Sequence, residues 1–181
     1  MTKFAWIAAA ALFGASGGAF AQSYVGLGLG SAKFNVNCTG TTNCSGTDTG
    51  SKIFGGFRFQ PNLAAELGYL DFGRAKFTAG GNAATIKNSA IGVGLAFSGS
   101  FTPDWSGVAR VGLARVRTEL SVAGGVGNTS KTSSNAYGGL GLGYAVTKMV
   151  SLDAAVDFTQ GKLNGQSGGL RLFTLGATFN F

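Results

Sequence analysis

In segment after segment of this chain, a glycine or other small residue alternates with a bulky apolar one. Tyr24-Val-Gly-Leu-Gly-Leu-Gly30 puts Val25, Leu27 and Leu29 on one side and glycines on the other. Leu140-Gly-Leu-Gly-Tyr144, Ile91-Gly-Val-Gly-Leu-Ala-Phe97 and Phe173-Thr-Leu-Gly-Ala-Thr-Phe-Asn-Phe181 repeat the arrangement. A period of two belongs to a β-strand with two unlike faces, and helical periodicity is almost absent.

The environment of those strands follows from the charge content. Hydrophobic residues make up 45% of the chain and charged residues 12%, about half the charged share of a soluble domain. The longest apolar run, Phe4 to Phe13, has ten residues, whereas a membrane-spanning helix needs about 20. In lipid every backbone polar group needs an internal partner, which leaves a closed barrel as the way to span. The short run reads instead as the core of a signal peptide: Lys3 precedes it and Ala19-Phe20-Ala21 supplies a cleavage site. Residues 1–21 are therefore expected to be removed, leaving 22–181 as one barrel domain. The residue directly after the cut is Gln22 and not a cysteine, which argues against a lipoprotein.

Eight strands can be marked, at roughly 23–34, 51–60, 63–73, 88–99, 106–118, 136–146, 150–160 and 169–181. Each is long enough for a tilted strand to cross a bilayer. The connections alternate: 35–50, 74–87, 119–135 and 161–168 are long and rich in Gly, Ser, Thr and Asn, while Gln60-Pro61-Asn62, Thr102-Pro103-Asp104 and Thr147-Lys148-Met149 are tight. The pattern predicts an all-β, up-and-down, eight-stranded antiparallel transmembrane barrel in a Gram-negative outer membrane. Its short turns and termini lie in the periplasm and its long loops outside. Bulky residues such as Leu27, Leu29, Phe57, Leu67, Val93, Leu113, Leu142 and Leu175 share the lipid face. Glycines and mid-strand charges share the inward face, because eight strands enclose little more than side-chain room.

Two stretches carry a resemblance: Lys52-Ile-Phe-Gly-Gly-Phe-Arg-Phe-Gln-Pro-Asn-Leu-Ala-Ala-Glu-Leu-Gly-Tyr-Leu-Asp-Phe-Gly73 and Tyr137-Gly-Gly-Leu-Gly-Leu-Gly-Tyr-Ala-Val-Thr147. The first resembles the second and third strands of OmpA-type β-barrels and the second their sixth; Leu175 to Phe181 resembles the closing strand. The resemblance covers the whole mature chain and implies a membrane-spanning architecture. The peptidoglycan-binding domain of full-length members is expected to be missing. In that family a terminal aromatic on the closing strand is the mark read by the barrel-assembly machinery, which points to Phe181 together with Phe179.

Candidate chemistry is sparse. The chain contains no histidine, so neither a Ser-His nor an Asp-His site can be built, and no enzyme, cofactor or metal site is expected. The G-x-G runs lack the frame and following helix of a phosphate loop. Cys38 and Cys44, both in the first long loop, are expected to pair in an oxidising compartment, the alternative being two free thiols. Parity places Arg58, Glu66, Arg110, Asp153 and Asp157 inward, as either a salt-bridged plug or an ion-selecting constriction. The outer half carries Lys33, Lys52, Arg74, Lys76, Lys87, Arg115, Arg117, Lys131, Lys162 and Arg171 against Asp48, Asp71 and Glu119. Lipopolysaccharide phosphates are the natural partner at that height, the alternative being scattered solvated charge.

The reading is a monomeric structural or surface-interaction barrel whose partners are outer-membrane lipid, lipopolysaccharide and host or cell-surface molecules, with no nucleic acid. A narrow pore for small solutes is the alternative. Phe181→Ala should slow membrane insertion in cells while the purified variant still refolds into detergent. Normal membrane levels of the variant would leave Phe181 only a place in the aromatic girdle.

Overall fold

The computed structural model describes residues 22–34, 42–79, 82–122, 129–163 and 166–181. The strands are β1 (Gln22–Phe34), β2 (Thr42–Ser45), β3 (Thr47–Gln60), β4 (Leu63–Ala79), β5 (Asn82–Ser100), β6 (Trp105–Val122), β7 (Thr129–Ala145), β8 (Val150–Leu163) and β9 (Gln166–Asn180). All pairings are antiparallel, each of the long strands pairs with its neighbours, and β1 pairs with β9, so eight strands close a barrel without an edge. The ninth, β2, is a four-residue extension that pairs with the outer part of β4.

Closure is tight at one end. Pro61 and Pro103 sit in the short connections, where a residue without an amide hydrogen interrupts no ladder. Thr102 Oγ1 accepts from the Trp105 amide at 3.0 Å, and Thr147 Oγ1 accepts from the Val150 amide at 3.0 Å. The Phe181 amide donates to the Ser23 carbonyl at 2.9 Å, so the last residue is tied to the first strand.

The other end corrects the sequence-based boundaries. Strands run through most of the segments expected to be loops: β4 reaches Ala79, β5 begins at Asn82, β6 reaches Val122 and β7 begins at Thr129. The polar composition there reports the loss of lipid contact and not the loss of the ladder. Threonine is a good strand former, and above the bilayer no apolar alternation is needed to keep it paired. These extensions make protruding hairpins. Cys38 lies outside the described residues, as does the side chain of Cys44, and the same holds for the expected signal peptide.

The facing of the residues follows parity. Leu27, Leu29, Phe57, Leu67, Val93, Leu113, Leu142 and Leu175 are all exposed on the outer wall. Near the tight turns this belt ends in aromatics: Phe59, Phe101, Trp105, Tyr144, Phe179 and Phe181 are exposed, and the Trp105 and Tyr144 rings lie 5.2 Å apart. Such rings suit the membrane–water interface.

Two irregularities shape the protruding end. In β4 the register shifts between Asp71 and Arg74. Gly73 there adopts φ +73°, a left-handed conformation open to glycine at no steric cost. The Asp71 carboxylate accepts from the Gly73 amide at 2.8 Å and the Asp48 carboxylate from the Arg74 amide at 2.6 Å. The extra residue turns Arg74 outward, in register with Lys87. The second irregularity is a seam. Among the described residues the β7–β8 ladder ends at Gly138↔Phe158, although both strands continue. Beyond it, two side-chain bonds bridge the strands: Asn135 Nδ2 to the Gln160 carbonyl at 2.7 Å and Thr159 Oγ1 to the Ala136 carbonyl at 3.0 Å. A methyl group at Gly161 would lie 3.4 Å from Thr118 Oγ1 and 3.5 Å from Asn88 Oδ1, so β8 leans inward here toward β5 and β6. In hydrogen-exchange measurements on the folded protein, the β7 amides facing β8 within 129–137 should exchange at least tenfold faster than those within 138–145. Equal protection would show the ladder to be continuous.

Candidate functional site

The inward residues form three layers. At the tight-turn end, Arg58 Nη1 donates to Asn180 Oδ1 at 2.9 Å and its guanidinium lies 4.5 Å from the centre of the Tyr24 ring. Asp153 accepts from Thr178 Oγ1 at 2.5 Å. These groups, with Ser98, Ser106 and Ser151, line a vestibule of about 80 Å³.

The middle layer is ionic and aromatic. Arg110 Nε meets Glu66 Oε2 at 2.7 Å, and Tyr24 donates its hydroxyl to Glu66 Oε1 at 2.6 Å. Lys52 Nζ meets both oxygens of Asp157 at 2.9 Å, and the Tyr137 hydroxyl donates to Asp157 Oδ1 at 2.5 Å. The Phe54 ring packs against both cations, its centre 4.8 Å from Lys52 Nζ and 4.9 Å from the Arg110 guanidinium carbon. The Lys52 and Asp157 side chains are 2% and 0% exposed. Charges this deep persist only when paired and hydrogen-bonded, and each carboxylate here has a cation and a tyrosine.

Glycine makes room for this layer. A Cβ at Gly26 would collide with the Phe54 ring, and one at Gly56 with the Tyr24 ring. At these two positions the missing side chain admits an aromatic ring from a neighbouring strand.

The third layer, toward the protruding hairpins, is apolar. Leu70, Phe72, Val116 and Leu172 are each at most 1% exposed and pack with Phe34, Tyr137 and Leu170. This layer was missed in the sequence because the inward face was read as small and charged. The signal was present: Leu70, Phe72, Val116, Leu170 and Leu172 share the parity of the inward glycines at the outer end of their strands.

The five residues assigned to one cluster thus separate. Glu66 and Arg110 form one ion pair. Asp157 pairs with Lys52, which belongs to the lumen and not to the outer basic group; its even parity in β3 puts it on the inward face that Phe54 and Arg58 share, against the Phe54 ring. Arg58 and Asp153 take the neutral partners Asn180 and Thr178. Of the basic group, Lys33, Arg74, Arg115, Arg117 and Arg171 are exposed on the outer wall and Lys131 is exposed near the hairpin tip. Lys87 lies 3.8 Å from Asp71, and Arg117 lies 2.8 Å from Glu119. The side chains of Lys76 and Lys162 lie outside the described ones.

The profile of the OmpA-like transmembrane domain matches residues 19–164 of this chain. No curated protein is matched. Solved structures of similar fold include Neisserial surface protein A (TM-score 0.65, 20% identity, 88% of this chain and 97% of that one). The outer membrane protein OprG of Pseudomonas aeruginosa gives TM-score 0.63 and 13% identity over 89% of this chain and 96% of that one. The attachment invasion locus protein Ail of Yersinia pestis, solved with the heparin analogue sucrose octasulfate, gives 0.60 and 14% over 89% and 99%. At these identities the likeness is one of fold.

The buried pairs make a stability prediction. Asp157→Ala leaves Lys52 without its carboxylate and should cost about 3–5 kcal/mol, read as a lower urea midpoint of the refolded barrel. Replacing both partners, Lys52→Met with Asp157→Leu, should recover much of that loss. An unchanged midpoint for the single variant would show the pair to be solvated.

Proposed function

We propose, for a chain that belongs to the OmpA-like transmembrane domain family, a structural and surface-interaction role in the outer membrane, exercised through its outer wall and protruding hairpins and not through its lumen. The observation that carries this reading is the filled interior. Above the turn-end vestibule stand two buried ion pairs, and above those an apolar layer in which Phe72 and Leu172 are fully buried. An ion following the axis would have to displace both layers. No catalytic step is assigned.

In this reading residues 1–21 are the export signal, the aromatic end of β9 with Phe179 and Phe181 is what the barrel-assembly machinery recognises, and the barrel acts as a monomer. The hairpin end faces the exterior, where its exposed cations meet lipopolysaccharide and the hairpins meet host or cell-surface molecules. The short turns at Pro61, Pro103 and Thr147 at the opposite rim support this orientation.

Planar-bilayer recording tests the reading. The wild-type barrel should pass little steady current, and removing bulk from the apolar layer by Phe72→Ala should raise it. A steady wild-type conductance of porin type would favour the alternative, a narrow pore for small solutes. An epitope tag at Gly125 should be stained on intact cells; staining only after permeabilisation would reverse the orientation.

A further inference from the structure

Two cations stand directly opposite each other on neighbouring strands at the upper edge of the apolar belt. Lys33 of β1 is in register with Arg171 of β9, and both are exposed on the outer wall. Like charges so placed destabilise a sheet. Their other in-register neighbours are Thr47 and Phe158, so no carboxylate in register offsets them. Two other rim cations have acids at hand: Lys87 has Asp71 and Arg117 has Glu119. Among the described residues, the Lys33–Arg171 pair sets two outward cations in direct register with no carboxylate in register beside them.

The wall beneath this pair is grooved. On β8 the outward residues include Ala154 and Val156, which are small beside Leu140 and Leu142 of β7 and Phe173 and Leu175 of β9. Ala154 and Val156 floor part of an apolar groove of about 910 Å³ that crosses the wall from Leu29 on β1, over β9, β8 and β7, to Ala109 on β6 and Phe97 on β5. Phe173, which lines it on β9, lies two residues from Arg171 on the same face, and Lys33 Nζ is 5.8 Å from the centre of the Phe173 ring. A cation pair thus stands at the head of an apolar groove, on one stretch of wall.

We propose that this stretch holds one lipopolysaccharide molecule, with a lipid A phosphate between Lys33 and Arg171 and an acyl chain along the groove over β8. A phosphomonoester carries up to two negative charges and three acceptor oxygens, enough to neutralise both cations at once. The apolar groove takes a chain that a soluble phosphate would not supply. The proposal rests on the reading that the hairpin end meets the outer leaflet.

The test uses the refolded full-length barrel in phosphatidylcholine nanodiscs containing bisphosphoryl lipid A, dephosphorylated lipid A or phosphatidylglycerol, with lipid retention read by native mass spectrometry. Wild type should retain one bisphosphoryl lipid A and at least tenfold less of the other two. The Lys33→Gln/Arg171→Gln double variant and the groove-filling Ala154→Trp should each lose that retention at least tenfold while keeping the folded mobility on unheated gels. Equal retention of phosphatidylglycerol, or unchanged retention in either variant, would overturn the site. A second readout separates binding from a structural role. In pure phosphatidylcholine Lys33→Gln should leave the unfolding temperature unchanged or raise it, because it relieves repulsion, whereas with bisphosphoryl lipid A it should lower it. A fall in both lipids would also overturn the proposal. These discs present lipid A to both rims, so the outcome does not depend on orientation, which the tag on intact cells reads separately.

Discussion

Everything in this barrel depends on the backbone having no water to turn to. Within the bilayer an unpaired amide or carbonyl costs several kcal/mol, so each strand must be paired on both sides and the last must find the first. The register of β1 with β9, from Tyr24↔Asn180 to Phe34↔Leu170, is where that requirement is met. Once the ladder is closed, alternation along each strand has only two destinations, lipid and lumen. The sorting of Leu27, Leu113 and Leu175 outward and of Gly26, Glu66 and Arg110 inward follows.

A lumen bounded by eight strands is too narrow to be empty and too dry to hold isolated charge. The chain resolves this by height. At mid-lumen it pairs Lys52 with Asp157 and Arg110 with Glu66 and supplies Tyr137 and Tyr24 as further donors. Toward the hairpins, where the walls rise out of the bilayer, it fills the bore with Leu70, Phe72, Val116 and Leu172. The upper part of the molecule is thus held by a hydrophobic core like that of a small soluble barrel, with its polar strand faces turned to water. The lower part is inverted, with apolar residues outside and polar ones within.

Much of the fold was legible because its governing constraint has a period of two. Parity assigned Leu29, Phe57, Leu142 and Phe173 to lipid without any knowledge of the register, and the tight turns at Pro61 and Pro103 fixed the strand order. What parity could not give was height and partner choice. Lys52 and Arg58 share a face and differ by six positions. Yet one meets a carboxylate and the other an amide side chain, because the cross-strand register brings Asp157 to one level and Asn180 to another. The protruding strands were hidden for a different reason: outside lipid the ladder persists without the apolar alternation that advertises it. The bulge at Gly73, which re-aims Arg74, is a one-residue insertion visible only in the pairing.

The seam between β7 and β8 gives the wall a soft joint. A closed ladder resists deformation because widening any gap breaks hydrogen bonds in series all around the circumference. Above Gly138 and Phe158 the joint is carried by Asn135 and Thr159, whose side chains can lengthen or shorten their reach by rotating about single bonds. The upper rim can therefore change its cross-section at little cost while the lower barrel stays round. A partner pressing on the rim would meet the least resistance at β8, in the inward direction already visible at Gly161, while the ladder below Gly138 and Phe158 keeps its register.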